Sequence, residues 1–234
     1  MFIFTHIFAG AVFGLVLGWF LHDTRIFPLC VAASILPDVI DKPLGFIFLP
    51  DDLGPGRTFF HALLAVMLIT AIAYLVWRFR RSILVFLAAG SVMLHQILDA
   101  MWHEPVIWFY PLLGPFQPYH YINYFGTFFW LEVSSASEWV FFFATIVVFS
   151  LVYIDRIILS LPQWIAHRTM PARYAVLLLL VFIGLYSLWS GSTGTLNMMT
   201  PYNTPENNLI MGIVALAGFC TLIAFMNITR QAED

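Results

Sequence analysis

Charge is scarce in this 234-residue chain: Asp, Glu, Lys and Arg together make up 10% of it, against about a quarter in a soluble domain. No polar stretch is long enough to build a soluble domain. The basic residues form no patch of the kind nucleic acid needs, so nucleic acid is excluded as a partner. There are two cysteines, Cys30 and Cys220. They lie in separate apolar runs and each reads as a small packed hydrophobe. The start, Met1 to His6, lacks a positive region and a clear cleavage site, and reads as the beginning of a retained helix. There is no internal repeat and no low-complexity tract.

What the chain has instead is apolar length. Hydrophobic residues make up 61% and aromatic residues 18%. Six long apolar segments stand out, at roughly 2–21, 58–77, 82–101, 139–158, 174–190 and 208–228. Each is about as long as a bilayer crossing requires, and in lipid such segments must be helices. A seventh, 26–37, is too short to cross fully and ends at Pro37. The stretch 102–138 is rich in Trp, Tyr, Phe, Pro and Gly, and is expected along the interface as short helices and turns. The expected fold is therefore all-α: a polytopic integral membrane helix bundle with about six full transmembrane helices, one short segment and an aromatic interfacial region.

Basic residues set the expected orientation. Arg78, Arg80 and Arg81 lie between two apolar segments and mark a cytoplasmic hairpin tip. Alternation from there places Arg25, Arg156, Arg168, Arg173 and Arg230 on the same side. Of the ten basic residues, Lys42 and Arg57 fall on the other. This puts the N-terminus outside and the C-terminus inside, in the plasma membrane, and requires segment 26–37 to count as a crossing. The outer side receives Asp38, Asp41, Asp51, Asp52, Asp99 and Glu104, with His6, His61, His95, His103 and His120. Glu132 and Glu138 read as surface charges flanking a helix start.

At about 1.5 Å of rise per residue, His6, Asp38, His61, His95 and Asp99 arrive at a similar depth within the outer leaflet. Ionisable groups inside a membrane are costly and by default mark a functional site facing the bundle interior. His95 and Asp99 stack as i and i+4 on one helix face. Asp38 and Asp41 share a face as i and i+3; one could ligate and the other orient a ligand. Histidine with carboxylate suits zinc, manganese or iron. Arg57, one turn from His61, could clamp a phosphate or carboxylate. His103 continues the His95, Asp99 row and could add a ligand. Gly10, Gly14 and Gly18 continue the row that starts at His6 and would let another helix approach closely.

These residues carry a resemblance. Thr5-His6-Ile7, Leu36-Pro37-Asp38-Val39-Ile40-Asp41-Lys42-Pro43, Gly56-Arg57-Thr58-Phe59-Phe60-His61 and His95-Gln96-Ile97-Leu98-Asp99 resemble the membrane-bound metal-dependent hydrolase family typified by YdjM. The family pattern often places the two acids one residue apart, whereas here two residues intervene; many members have Ser where this chain has Ala62. The order of ligands is also similar to that of zinc-dependent phospholipase C and related zinc nucleases. The resemblance implies a hydrolase-like domain at 1–125, with C-terminal helices at 126–234 packed on it. It further implies that Asp38 or Asp41 with His61, His95 and Asp99 would hold one ion, and that His6 with Asp99 would help hold a second.

The expected function is a membrane-embedded hydrolase holding one or two divalent ions, zinc first and manganese or iron next. It would cleave a phosphoester, or less favourably an acyl ester, of a membrane lipid. Arg57 or Lys42 would offset substrate charge, and Asp38 or Asp41 could act as general base. The rivals are a transporter or metal carrier, a haem protein, and a protein with a degenerate site.

Overall fold

The computed structural model describes residues 3–49, 53, 56–116, 124–153, 163–201 and 203–233. Asp51, Asp52, His120 and Arg156 lie outside the described residues, as do the side chains of Arg168 and Arg230. Every regular element among the described residues is helical. They divide into two compact units, one of residues 17–130 and one of residues 1–16 with 131–234.

The 17–130 unit is built on three helices: α2 (Ile26–Pro43), α3 (Leu63–Arg80) and α4 (Leu84–Leu98). Helix α2 packs on α4, and α4 on α3. α2 is longer than the apolar run 26–37, because Pro37 lies inside the helix and does not end it. Proline removes one helical donor and crowds the preceding turn. In that turn the carbonyl of Ser34 accepts a hydrogen bond from His95 Nδ1 at 2.7 Å. A π-helical turn, Leu44–Phe48, follows directly.

Helix α3 stops at Arg81, which takes a left-handed φ of 55°. Its N–H bonds to Trp77 O at 2.9 Å, and its guanidinium lies 5.4 Å from the centre of the Trp77 ring. The exposed arginines Arg78, Arg80 and Arg81 thus mark one end of the unit, where α2 also begins beside Arg25. There Arg25 holds the carboxyl of Asp23 below its ordinary range through a hydrogen bond. The eighteen residues of α3 rise about 27 Å, so Asp38, His61 and His95 gather at the opposite end. Past α4 come a 3-10 turn at Met101–His103 and a four-residue helix, α5 (Pro105–Trp108). Met101, Ile107, Phe116 and Leu53 form a small apolar core there. The short helices expected at 102–138 are present, with α6 (Tyr124–Ser134) completing them.

The other unit holds the start of α1 (Ile3–Leu21), with α7 (Ala136–Val152), α8 (Gln163–Thr193) and α9 (Pro205–Glu233). Helices α8 and α9 meet through small residues: a Cβ on Gly212 would lie 2.7 Å from Leu188, and one on Gly184 2.7 Å from Leu216. Close approach through glycine is a common way for helices to associate in lipid. Phe8 of α1 sits over Gly218 of α9 and 5.3 Å from the Phe141 ring. The α8–α9 connection is tied by buried amides. Asn197 Nδ2 donates to Ser187 Oγ at 3.1 Å and to Asn208 Oδ1 at 3.2 Å, and Asn208 Nδ2 donates to Ser190 Oγ at 3.2 Å.

Four helical stretches are both long and apolar enough to cross a membrane: Ile3–Leu21, Leu63–Arg80, Met170–Thr193 and Pro205–Asn227. Helices α4 and α7 are shorter apolar helices of 15 and 17 residues. Among the described residues, four of the six expected spans are thus long and apolar enough to cross. The chain is an integral membrane protein.

Glu138 departs from its expected place at the surface. It is 2% exposed and accepts hydrogen bonds from Phe4 N at 2.9 Å, Thr5 N at 3.2 Å and the Thr5 hydroxyl. It therefore satisfies the free amides that open α1. Glu138→Ala leaves these donors buried and unpaired, and should lower stability by about 1–3 kcal/mol. Thermal unfolding in detergent checks this, and a variant as stable as wild type would refute the capping role.

Candidate metal centre

The site begins with Asp41. One turn beyond Asp38 on α2, its carboxylate faces the segment that leads into α3. Oδ2 accepts N–H donors from Thr58 at 2.9 Å, Phe60 at 3.0 Å and His61 at 3.0 Å. It also accepts from His61 Nδ1 at 2.7 Å. One buried carboxylate thus folds four residues of chain around itself. The approach is close because both backbones are bare: a Cβ on Gly45 would lie 2.9 Å from Gly56 N. Gly56 has a φ of +63°, and a Cβ there would lie 1.9 Å from the Phe46 ring. This contact sets the direction in which Arg57 and Thr58 leave the turn.

Gln96 holds the same segment from the other side. Its Nε2 donates to the carbonyls of Phe60 and Ala62, both at 3.0 Å. Its Oε1 accepts from Trp108 Nε1 at 2.9 Å. Every hydrogen-bonding group on this buried amide therefore has a partner, and His61 is clamped between Asp41 and Gln96.

These restraints fix both imidazoles. A backbone carbonyl only accepts, so His95 Nδ1, bonded to Ser34 O, carries the proton. His61 Nδ1 likewise donates to the Asp41 carboxylate. Each neutral ring then presents an Nε2 lone pair, and the two Nε2 atoms face each other 3.2 Å apart. Both rings are fully buried. Two facing acceptors repel unless a proton or a cation lies between them.

Two carboxylate oxygens complete the group. Asp38 Oδ1 lies 3.6 Å from His61 Nε2 and 3.8 Å from His95 Nε2. Asp99 Oδ2 lies 3.7 Å and 3.9 Å from the same atoms. One ligand atom from each of Asp38, His61, His95 and Asp99 falls within 4.8 Å of the others. Ligands bound at about 2.0–2.2 Å around a tetrahedral ion lie about 3.3–3.6 Å apart, so the residues fit a divalent ion. Asp38 Oδ1 is buried with no hydrogen-bond partner, as a ligand atom awaiting a cation would be.

Two cations flank the carboxylates. Lys42 Nζ bonds Asp38 Oδ2 at 2.7 Å, and Arg57 Nη2 bonds Asp99 Oδ2 at 2.9 Å. With both imidazoles neutral, Asp38, Asp41 and Asp99 against Lys42 and Arg57 leave one net negative charge.

The expected site residues therefore separate. Asp38, His61, His95 and Asp99 converge as expected. Asp41 stands one step back, its oxygens engaged by amides and by the His61 ring, and orients His61 without facing the cluster. Of the two aspartates that sequence left open, Asp38 is the one with an oxygen directed inward. His6 is buried on α1 and belongs to the other compact unit. Arg57 is engaged with Asp99. His103 leaves the His95, Asp99 row because α4 ends at Leu98 and Ala100 turns left-handed at φ 50°; it is exposed. Gln96 is a functional residue that sequence reasoning misses. Its signal was a lone amide next to a candidate ligand on an apolar helix.

The arrangement defines a class, a helical membrane protein with a buried two-histidine, two-aspartate centre. The chain belongs to the YdjM inner membrane protein family, whose pattern matches residues 1–228. That match extends well past the hydrolase-like stretch expected at 1–125. Comparison with curated proteins and with solved structures gives no match.

Gln96→Leu keeps the volume of the side chain but releases the segment around His61. It should weaken zinc binding by about tenfold or more, as loss of a ligand-orienting partner does elsewhere. Competition against a fluorescent zinc chelator measures this. Affinity equal to wild type would mean that Gln96 only packs.

Proposed function

We propose that this protein is a membrane-embedded metal-dependent hydrolase that cleaves a phosphoester of a membrane lipid. The observation that carries the metal reading is the pair of buried Nε2 atoms 3.2 Å apart, each ring locked by its Nδ1–H, beside the unpartnered Asp38 Oδ1. Asp38, His61, His95 and Asp99 would hold one divalent ion, with zinc best suited to two nitrogen and two oxygen ligands. With a fifth position open beyond these four ligands, such an ion would supply Lewis acidity, making water nucleophilic near neutral pH and polarising a phosphoryl or acyl oxygen.

The chain's own residues supply the rest. Asp41 and the Ser34 carbonyl hold the two imidazoles in the tautomer that ligates. Asp38, and not the amide-saturated Asp41, presents the inward carboxylate oxygen that would ligate the ion. Arg57 and Lys42, each with a side chain 33% exposed, place positive charge at the mouth of the group, where a phosphate would enter. Support for a lipid substrate comes from the same end of this unit, where Phe48, Leu112 and Leu113 are 71%, 83% and 56% exposed. The separation of this end from Arg25, Arg78, Arg80 and Arg81 supports placing the site toward the outer leaflet, by the positive-inside rule.

Purified protein should carry about one equivalent of zinc, set by a single four-ligand group, when metals are measured by mass spectrometry. A His95→Ala, Asp99→Ala variant should carry none. Hydrolysis of a panel of phospholipids should fall to background in the same variant and on chelation. Turnover that survives both the variant and the chelator would contradict this assignment.

A further inference from the structure

The two cations at the cluster hold their carboxylates differently. Lys42 bonds Asp38 through Oδ2, while Oδ1 is the atom that faces the imidazoles. It steadies Asp38 and leaves the inward oxygen open. Arg57 bonds Asp99 through Oδ2, and Oδ2 is also the atom 3.7 and 3.9 Å from the two Nε2 atoms. Arg57 therefore occupies the oxygen that an ion would use, and Lys42 does not.

We infer that Arg57 is a displaceable counter-cation: a divalent ion in the cluster drives its guanidinium off Asp99 and onto a phosphate group entering at the mouth. The inference rests on the metal reading above and adds the ligand class and the order of events. Three arguments carry it. A dication and a guanidinium on one carboxylate oxygen repel, and the carboxylate they would share is buried. The charge of the five named groups changes from −1 to +1 when a dication is added, so the loaded site favours an anion where the empty one does not. Arg57 is one-third exposed, so its fork can swing outward, and a planar guanidinium matches two phosphate oxygens at once.

The experiment is calorimetric titration of inorganic phosphate into the full-length protein in detergent, with and without one equivalent of zinc, repeated with dihexanoyl phosphatidate. The expected result is phosphate binding that requires zinc. Arg57→Gln should lose about tenfold or more of phosphate affinity, the usual effect of removing a charged hydrogen-bond partner, while binding zinc at least as tightly as wild type. Arg57→Lys keeps the charge without the fork and should fall between. Phosphatidate binding well above phosphate would assign the anion to a lipid headgroup; equal binding would assign it to free phosphate. Both support the exchange. Zinc-independent phosphate binding, or full phosphate affinity in Arg57→Gln, would overturn it. So would loss of zinc from Arg57→Gln, since Arg57 would then be a support for Asp99. Failure of the wild type to bind zinc would overturn the metal reading as well, which separates the two failures.

Discussion

The candidate site depends on the Asp41 carboxylate. Buried in α2, it collects three backbone amides and the His61 ring. A carboxylate removed from water must be hydrogen-bonded to remain there, and the Thr58–His61 segment supplies the donors. In return that segment, which has no regular structure of its own, gains one shape. His61 is placed, its tautomer is set, and Arg57 is delivered to the mouth of the cluster. Ser34 does the same for His95 with a single carbonyl, offered in the turn crowded by Pro37. The proline that would ordinarily weaken a helix here stands beside a useful acceptor.

Electrostatics then link the ligands to their surroundings. Three carboxylates gathered at one end of a helical unit would repel if left alone. Lys42 and Arg57 offset two of the three charges, one without covering an inward oxygen and one by covering it. The difference between these two ion pairs is one of oxygen atoms, not of residue types, and it decides which cation must yield.

Much of this was legible in the sequence, and the reasons are physical. His95 and Asp99 could be paired because i, i+4 stacking survives to the last turn of a helix. Asp38 could be brought to the same end as His95 from helical rise, which is nearly constant, whereas His61 lies just ahead of α3 and outside any helix. What was hidden depends on contacts between distant segments. Asp38 and Asp41 share a face, so periodicity could not separate them; only the approach of the 58–61 amides does. The continuation of α2 past Pro37 could not be read locally, because it is accommodated by its surroundings. His103 fell out of register owing to a left-handed Ala100, where no glycine marked the turn. Glu138 looked like a surface charge because a glutamate near a helix start usually is one; its partners lie more than 130 residues away in sequence. Six apolar runs were visible, and four of them form helices long enough to span among the described residues.

The central claim is that His61 and His95 are held so that their Nε2 atoms jointly require a cation. X-ray absorption at the zinc edge of the metal-loaded protein tests it most directly. The account predicts a first shell of two imidazole nitrogens with carboxylate or water oxygens, all at about 2.0–2.2 Å. A shell containing sulfur at about 2.3 Å, or one without imidazole scattering, would place the metal elsewhere and contradict the account.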